Sequence, residues 1–418
     1  GLFCQNYYKN MQTLDLKKTY KKYPEYKDSG VEWLGQIPKE WESKKIITVF
    51  DFPNEKVTEL NFEPLSVTYG GIKKQIETAA KVAEGSSRKL VKVNDIVINA
   101  RSDRKGAVGM SKYEGAVSLV YNVLRKRDRD NDSKYFHHLF RSKLFSEEFY
   151  RWGRGIVDDL WTTRANEMKR IFIPVPQIEN QIKIASYLDE KTGFIDQIVE
   201  KKKKLIELLK EKRTAVINQA VTKSINKKDW KTEKLKYIAP ERNKKIISST
   251  ENNKYIGLEN IESNTGNLIE TESEIQIGSM LNEFSTGDVL FGKLRPYLSK
   301  VYTPDFDGVC TGELLDLIPK RDKVTQRFLF YKLISRDFIK IVNDSTYGTK
   351  MPRASWNFIG NQTVSFPSIT EQNIITKLLD DTTNRIDGVA SKTLKTIELL
   401  SELKSSLISN VVTGKVKV

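Results

Sequence analysis

The chain reads as an α+β protein built twice over: two mixed α/β globular domains joined by two long antiparallel helices, with a pseudo-twofold repeat. Three observations predict this. Residues Pro176 to Thr222 recur without a gap, at an offset of 191, as Pro367 to Thr413. Both copies carry apolar residues at helical spacing. The stretch in front of each copy instead holds short β-type runs broken by Gly, Asn, Asp and Pro.

The repeat is dense in identities. Pro176, Ile178 and Gln181 match Pro367, Ile369 and Gln372, and Leu188-Asp189 matches Leu379-Asp380. Ile195-Asp196 matches Ile386-Asp387, Ile206-Glu-Leu-Leu209 matches Ile397-Glu-Leu-Leu400, and Val221-Thr222 matches Val412-Thr413. In the first copy Ile195, Ile198, Leu205, Leu209 and Val216 fall on seven-residue seams, widened by Val199 and Ile206. In the second the seam is Ile386, Val389, Leu400, Leu403 and Leu407, flanked by Ala390, Ile397 and Val411. Each periodic stretch, from Asp189 to Val221 in the first copy, predicts a helix of roughly 45 Å. A lone amphipathic helix of that length cannot bury its stripe, so the two copies are expected to pack on each other in a coiled-coil-like spacer. Lys201 to Lys204 point around most of a helix circumference and read as a solvated surface.

The strand-type runs include Val93 to Ile98, Gly287 to Phe291 and Ile171 to Pro176. The two globular segments also align weakly. Asp95-Ile-Val precedes Gly115-Ala-Val by the same interval that separates Asp288-Val-Leu from Gly308-Val-Cys, and Arg101 and Arg295 follow those aspartates. The expected division is an N-terminal segment over 1–40, a globular domain over 41–175, a helical spacer over 176–226, a second globular domain over 227–366 and a second spacer over 367–418. The globular copies differ more than the helices, as expected if the helices share one task and the domains perform two.

Composition narrows the function. The 418 residues are 39% hydrophobic and 30% charged, suiting a soluble protein of two or three domains. No apolar run of about 18 residues offers a membrane span, and the start at Gly1 lacks the form of a secretion signal. Cys4 and Cys310 make no disulfide framework, so a reducing cytoplasm is the expected compartment. The net charge of +16 and pI near 9.4 attract polyanions, nucleic acid first.

Catalytic patterns are not found. His137 and His138 are adjacent, without a Cys or acidic cluster around them, so a metal site is not expected. No GxxxxGK[ST] loop, GxGxxG fingerprint or Asn/Asp-Pro-Pro-Tyr tetrad occurs. Asp305, Glu313 and Lys320 could be assembled into a nuclease triad, but at poor spacing. The basic residues of the globular segments instead cluster with Gly, Ser, Asn and Tyr, as loops that contact DNA require. The candidate contacts are Lys73, Lys74, Arg101, Arg104 and Lys105 in the first domain, and Lys293, Arg295, Tyr297, Lys350 and Arg353 in the second. Arg125-Lys-Arg127, Arg151 to Arg154 and Arg242 to Lys245 are further basic clusters. Lysines would neutralise phosphates, and arginine can bind guanine O6 and N7 through two parallel hydrogen bonds.

Three features make the chain resemble a type I restriction–modification specificity subunit. They are the segment Tyr23-Pro-Glu-Tyr-Lys-Asp-Ser-Gly-Val-Glu-Trp-Leu-Gly-Gln-Ile-Pro-Lys-Glu-Trp41, the paired helical units each entered through Pro-x-Ile-x-x-Gln, and Gly348-Thr-Lys-Met-Pro-Arg-Ala-Ser-Trp356. The resemblance implies that the globular segments are target-recognition domains, each reading one half of a split double-stranded DNA site. The helices would set the gap. It implies two methyltransferase subunits docked on the helices, joined by restriction/translocase subunits. It also implies no catalytic residue or cofactor in this chain, with S-adenosylmethionine, ATP and Mg on the partners. The first domain departs from the pattern, having Gly155 to Arg164 in place of Gly-Thr-Lys-Met-Pro-Arg. An autonomous endonuclease and a basic coiled-coil scaffold are the alternative functions.

Overall fold

The computed structural model describes residues 21–58, 60–75, 87–128, 130–155, 161–222, 230–247, 254–269, 278 and 280–418. Cys4 and the rest of 1–20 lie outside them. The chain divides into two compact units. The first runs to Lys201 and takes back Thr396–Val418; the second is Lys202–Lys395. The division cuts both long helices, whereas the sequence places its boundaries at their ends.

The helices are longer than their apolar periodicity predicts. They span Ile178–Thr222, 45 residues, and Ile369–Val412, 44 residues. Each begins directly after the Pro-x motif. Gln181, buried, accepts from the Asp132 backbone N–H through Oε1 at 2.8 Å and donates from Nε2 to Pro176 O at 2.8 Å. Gln372 repeats this, accepting from Thr325 N–H at 2.8 Å and donating to Pro367 O at 2.9 Å. Asp132 and Thr325 are the N-caps of Ser133–Arg141 and Gln326–Ile334. The recurring glutamine therefore ties the start of each long helix to the start of a domain helix.

In the first unit Ile96–Ile98 is flanked by Val108–Met110 and Asn122–Lys126, all antiparallel. Gly115–Val117 and Lys56–Thr58 flank Ser87–Val91 in a second sheet. The helices Ser133–Arg141 and Lys143–Arg151 supply Phe136, Phe140, Phe145 and Phe149 to the core beneath. Tyr23, Leu34, Ile37 and Trp41 join that core beside Leu188, Val411 and Val412. The N-terminal signature segment is thus a packing element around the helix ends. Tyr135 Oη donates to both Pro174 O, just before one long helix, and Val412 O, at the end of the other. Within this unit the helices consequently run antiparallel.

The second unit repeats the plan. Val289–Gly292 lies between Val301–Tyr302 and Leu314–Leu317, again antiparallel. Its core combines Phe328, Leu329 and Phe338 with Ile217 and Val221 from the first long helix and Leu379 from the second. Lys332 Nζ donates to Val221 O, closing the end of the first helix as Tyr135 closes that of the second. The short runs read from sequence hold strands at Ile96–Ile98, Val289–Gly292 and Phe172–Val175.

The helix seam needs a correction. Ile195, Ile386 and Leu407 are buried, while Ile198, Leu209, Val216, Leu400 and Leu403 are half-buried. Leu205 and Val389, expected in the seam, are 40% and 47% exposed. Their neighbour Ile206 is buried instead and Ala390 is half-buried, and the buried positions include Arg213 and Thr393. Polar side chains interrupt the apolar pattern where they take seam places, so a purely apolar reading slips by one residue. An arginine can do this because its aliphatic stem packs while its head finds an acceptor.

Candidate nucleic-acid interface

In the first unit two features carry the expected basic residues. Leu65–Thr68 and Gly71–Lys74 form a hairpin whose turn needs Gly71 at φ +96°. Lys73 and Lys74 are exposed at its end, with Lys74 paired to Glu63 at 2.7 Å. Arg141 donates to Tyr69 O at 2.6 Å, pinning the turn to the helix behind it. Residues 101–105 form the other feature, with a single 3₁₀ turn at Ser102–Arg104. Arg101 and Arg104 both approach Asp103, at 3.2 and 3.7 Å, and Lys105 Nζ lies 5.9 Å from the Tyr150 ring centroid.

A bridge between Arg101 and Thr162, and another between Arg154 and Thr162, bring this turn to the loop that follows Gly155. Residues 156–160 of that loop lie outside the described residues. Beside it opens a cleft of about 780 Å³ lined by Lys89, Asn122, Arg154, Thr162 and Arg164. Burial pushes the Lys89 ammonium down, and it donates to Tyr121 O. Lys89 sits on a strand away from the basic clusters, so sequence reading passed over it.

In the second unit the corresponding segments are brought together. Leu294 bridges Arg353, Arg295 N–H donates to Pro352 O at 2.7 Å, and Ala354 N–H donates to Lys293 O at 3.0 Å. Arg295 has φ +51°, which turns the chain sharply into the 3₁₀ turn Pro296–Leu298. Tyr347 and Arg353 exchange backbone hydrogen bonds at 3.0 Å, closing a loop that carries Gly348, Thr349, Lys350 and Met351 outward. Arg295, Tyr297, Tyr347, Lys350 and Met351 are exposed. Among the described residues Lys73, Lys105, Lys293, Arg295 and Lys350 form no ion pair. Arg353 differs: its Nε and Nη2 both donate to Glu313, at 2.9–3.2 Å.

Both histidines hold packing contacts in the first unit. Burial brings the His137 imidazole down to about 3, and its neutral Nδ1 accepts from Met110 N–H. His138 Nε2 meets Asp189 of the first long helix at 2.8 Å, with Lys134 alongside. In the second unit Tyr331 and Arg327 hold Asp380 in the same way. Glu313 of the conceivable nuclease triad is committed to Arg353. Among the described residues no cluster of three His, Cys, Asp or Glu could hold a metal. Lys201, Lys203 and Lys204 are exposed, and no described helix is long and apolar enough to cross a membrane.

Residues 227–399 match the model of the type I restriction modification DNA specificity domain. The chain is 22% identical over 345 residues to the type I restriction enzyme EcoDI specificity subunit of Escherichia coli, covering 74% of this chain and 76% of that one. It is 23% identical over 433 residues to the MjaVIII specificity subunit of Methanocaldococcus jannaschii, covering 92% and 94%. The fold resembles a chain from a structural study of complex assembly and conformational transition of the type I R-M system. There the TM-score is 0.71 at 13% identity, with 90% of this chain and 98% of that one covered. It also resembles the HsdS subunit from Thermoanaerobacter tengcongensis, with a TM-score of 0.54 at 16% identity and 91% and 98% coverage.

Proposed function

We propose, on the premise that this chain belongs to the type I restriction–modification specificity subunits, that each globular domain reads one half of a split double-stranded DNA site. One observation carries the reading. A single fold occurs twice, and its equivalent loops, joined through Arg101–Thr162 in one unit and Leu294–Arg353 in the other, carry different basic residues. Two readers of one design with different loops are what an asymmetric bipartite site requires.

In this reading Lys73, Lys105, Lys293 and Lys350 neutralise phosphates, and Arg101, Arg104, Arg295 and Tyr297 reach toward the grooves. The long helices set the gap and receive two methyltransferase subunits, which restriction/translocase subunits join. Leu205, Leu208, Val389, Leu394 and Leu399 support the docking, because they leave exposed apolar side chains on the helices. Chemistry belongs to the partners, which would bind S-adenosylmethionine, ATP and Mg. The chain itself acts in the cytoplasm as a non-catalytic guide.

The test is co-expression with a methyltransferase subunit, followed by mapping of methylated adenines in host DNA. The expected result is one split motif with a fixed gap that vanishes without this chain. Methylation that persists in its absence would remove the guiding role.

A further inference from the structure

The Arg353–Glu313 pair has no counterpart among the described residues of the first unit. Leu314–Leu317 pairs with Val289–Gly292 as Asn122–Lys126 pairs with Ile96–Ile98, which places Glu313 where the first domain has Val120. The matching bridges Leu294–Arg353 and Arg101–Thr162 place Arg353 where the first domain has Thr162. Val120 and Thr162 line an open cleft in the first domain. In the second, the same place is spanned by an ion pair.

Arg353 enters the sequence argument as a DNA contact, but its surroundings suit another task. The Nε–Nη2 edge, one of the guanidinium edges that can grip a guanine, is occupied by the Glu313 carboxylate. Glu313 also cancels the charge that would draw Arg353 to a phosphate. The backbone of Arg353 meanwhile closes the 347–353 loop against Tyr347 and joins it to Leu294. Glu313 lies just ahead of a buried strand, and its carbonyl accepts from Lys293 N–H. The pair therefore ties the loop that presents Lys350 to the rigid sheet that presents Lys293 and Arg295.

We infer that Arg353 is a positioning residue: clamped on Glu313, it holds the 347–353 loop so that Lys350 and the Arg295–Tyr297 turn meet one half-site together. This rests on the DNA-reading function proposed above. A base-reading arginine and a positioning arginine give opposite signs when Glu313 is changed. Removing Glu313 frees a reading arginine for DNA, but it unfastens a positioned loop.

The test uses the full chain assembled with its methyltransferase subunits, on duplexes carrying the motif mapped from methylated host DNA. Arg353→Gln and Glu313→Gln are each expected to weaken binding by about tenfold. The double variant should be no weaker than either single one. The slope of log affinity against log salt should change by the same amount in the two single variants, since either one loosens the loop that carries Lys350 and neither removes a side chain that itself meets a phosphate. Exchanging the charges, Arg353→Glu with Glu313→Arg, should recover part of the affinity even if a single variant folds poorly. On a duplex whose second half-site is scrambled, all variants should bind like wild type. The inference is overturned if Glu313→Gln binds as well as wild type or better, if the two losses add, or if Arg353→Gln lowers the salt slope by about 0.9 more than Glu313→Gln does. A wild-type complex that does not distinguish mapped from scrambled duplexes would instead overturn the DNA-reading function itself.

Discussion

Asp196 on the first long helix accepts from Lys404 Nζ of the second at 2.6 Å. The repeat carries this pair onto Asp387 and Arg213, and those two meet as well, with Nε at 3.0 and 3.1 Å from the two carboxylate oxygens. The sequence offset that relates the helices therefore also relates their cross-helix contacts, one in each unit. The two pairs are not equivalent in environment. The Asp196 side chain is largely exposed, whereas that of Arg213 is buried and also donates to Asn264 O at 2.6 Å.

That difference sets a stability prediction. Asp196→Asn removes a solvated pair and should cost about 0–1 kcal/mol. Asp387→Asn leaves the buried Arg213 without its carboxylate and should cost roughly 1–3 kcal/mol. Urea unfolding of the two variants checks the order, and equal costs would contradict it.

The buried glutamines give a second prediction. Gln372→Ala orphans the Thr325 N–H and the Pro367 carbonyl at a helix start, and it also removes the bond to Lys323 O at 2.8 Å. Gln181→Ala does the same to Asp132 and Pro176. Each substitution should lower stability by about 2–4 kcal/mol, from the unmade hydrogen bonds, two at Gln181 and three at Gln372, and a small cavity. Gln→Glu should cost a comparable amount, because the carboxylate cannot donate to the proline carbonyl. Thermal unfolding of the four variants measures both effects.

Much of this was legible in the sequence, for identifiable reasons. The gapless repeat exposes the long helices because both copies carry the same apolar spacing over most of their length. The glutamine of Pro-x-Ile-x-x-Gln is visible as a motif, yet its partners, Asp132 and Thr325, lie 49 and 47 residues upstream. The seam slipped at Leu205 and Val389 because Arg213 and Thr393 occupy buried places that an apolar count skips. The pairing of Arg353 was not legible, because Glu313 is 40 residues away and gives no local sign of it. Asp103, lying between Arg101 and Arg104, could have been seen to temper both.

The second unit also carries a pH signature. Arg242 bonds both Asp288 and Asp316, at 2.5 and 2.7 Å, and Asp316 Oδ1 is buried without a partner among the described residues. Burial, and then the neighbouring Asp288 carboxylate, push the Asp316 carboxyl up to about 8 against the pull of Arg242. A carboxyl raised in the fold above its ordinary 3.8 contributes stability that is complete below about pH 4 and lost as pH rises through about 8. Stability of this unit should decline across that window, by on the order of a few kcal/mol. Asp316→Asn, which fixes a neutral side chain, should flatten the decline. Hydrogen exchange of Leu314–Leu317 between pH 5 and 9 reads it out, and a wild-type profile that rises with pH would reverse the assignment.

The two ion pairs finally define where the spacer can be shortened. Asp196–Lys404 and Arg213–Asp387 each belong to one unit, so residues between Asp196 and Arg213, and between Asp387 and Lys404, can be removed without deleting either pair. A helix turns about 100° per residue, so deleting four residues rotates the faces by about 40°, whereas deleting seven nearly preserves the seam. Removing seven from each helix shortens the spacer by roughly 10 Å, or about three base pairs at 3.4 Å each. Co-expressed with a methyltransferase subunit, the shortened chain should direct methylation to a motif with both half-sites intact and a gap about three base pairs smaller. A four-residue deletion should assemble less stably. An unchanged gap in the seven-residue variant would show that the helices do not set the spacing, and altered half-sites would show that the loops are not the readers.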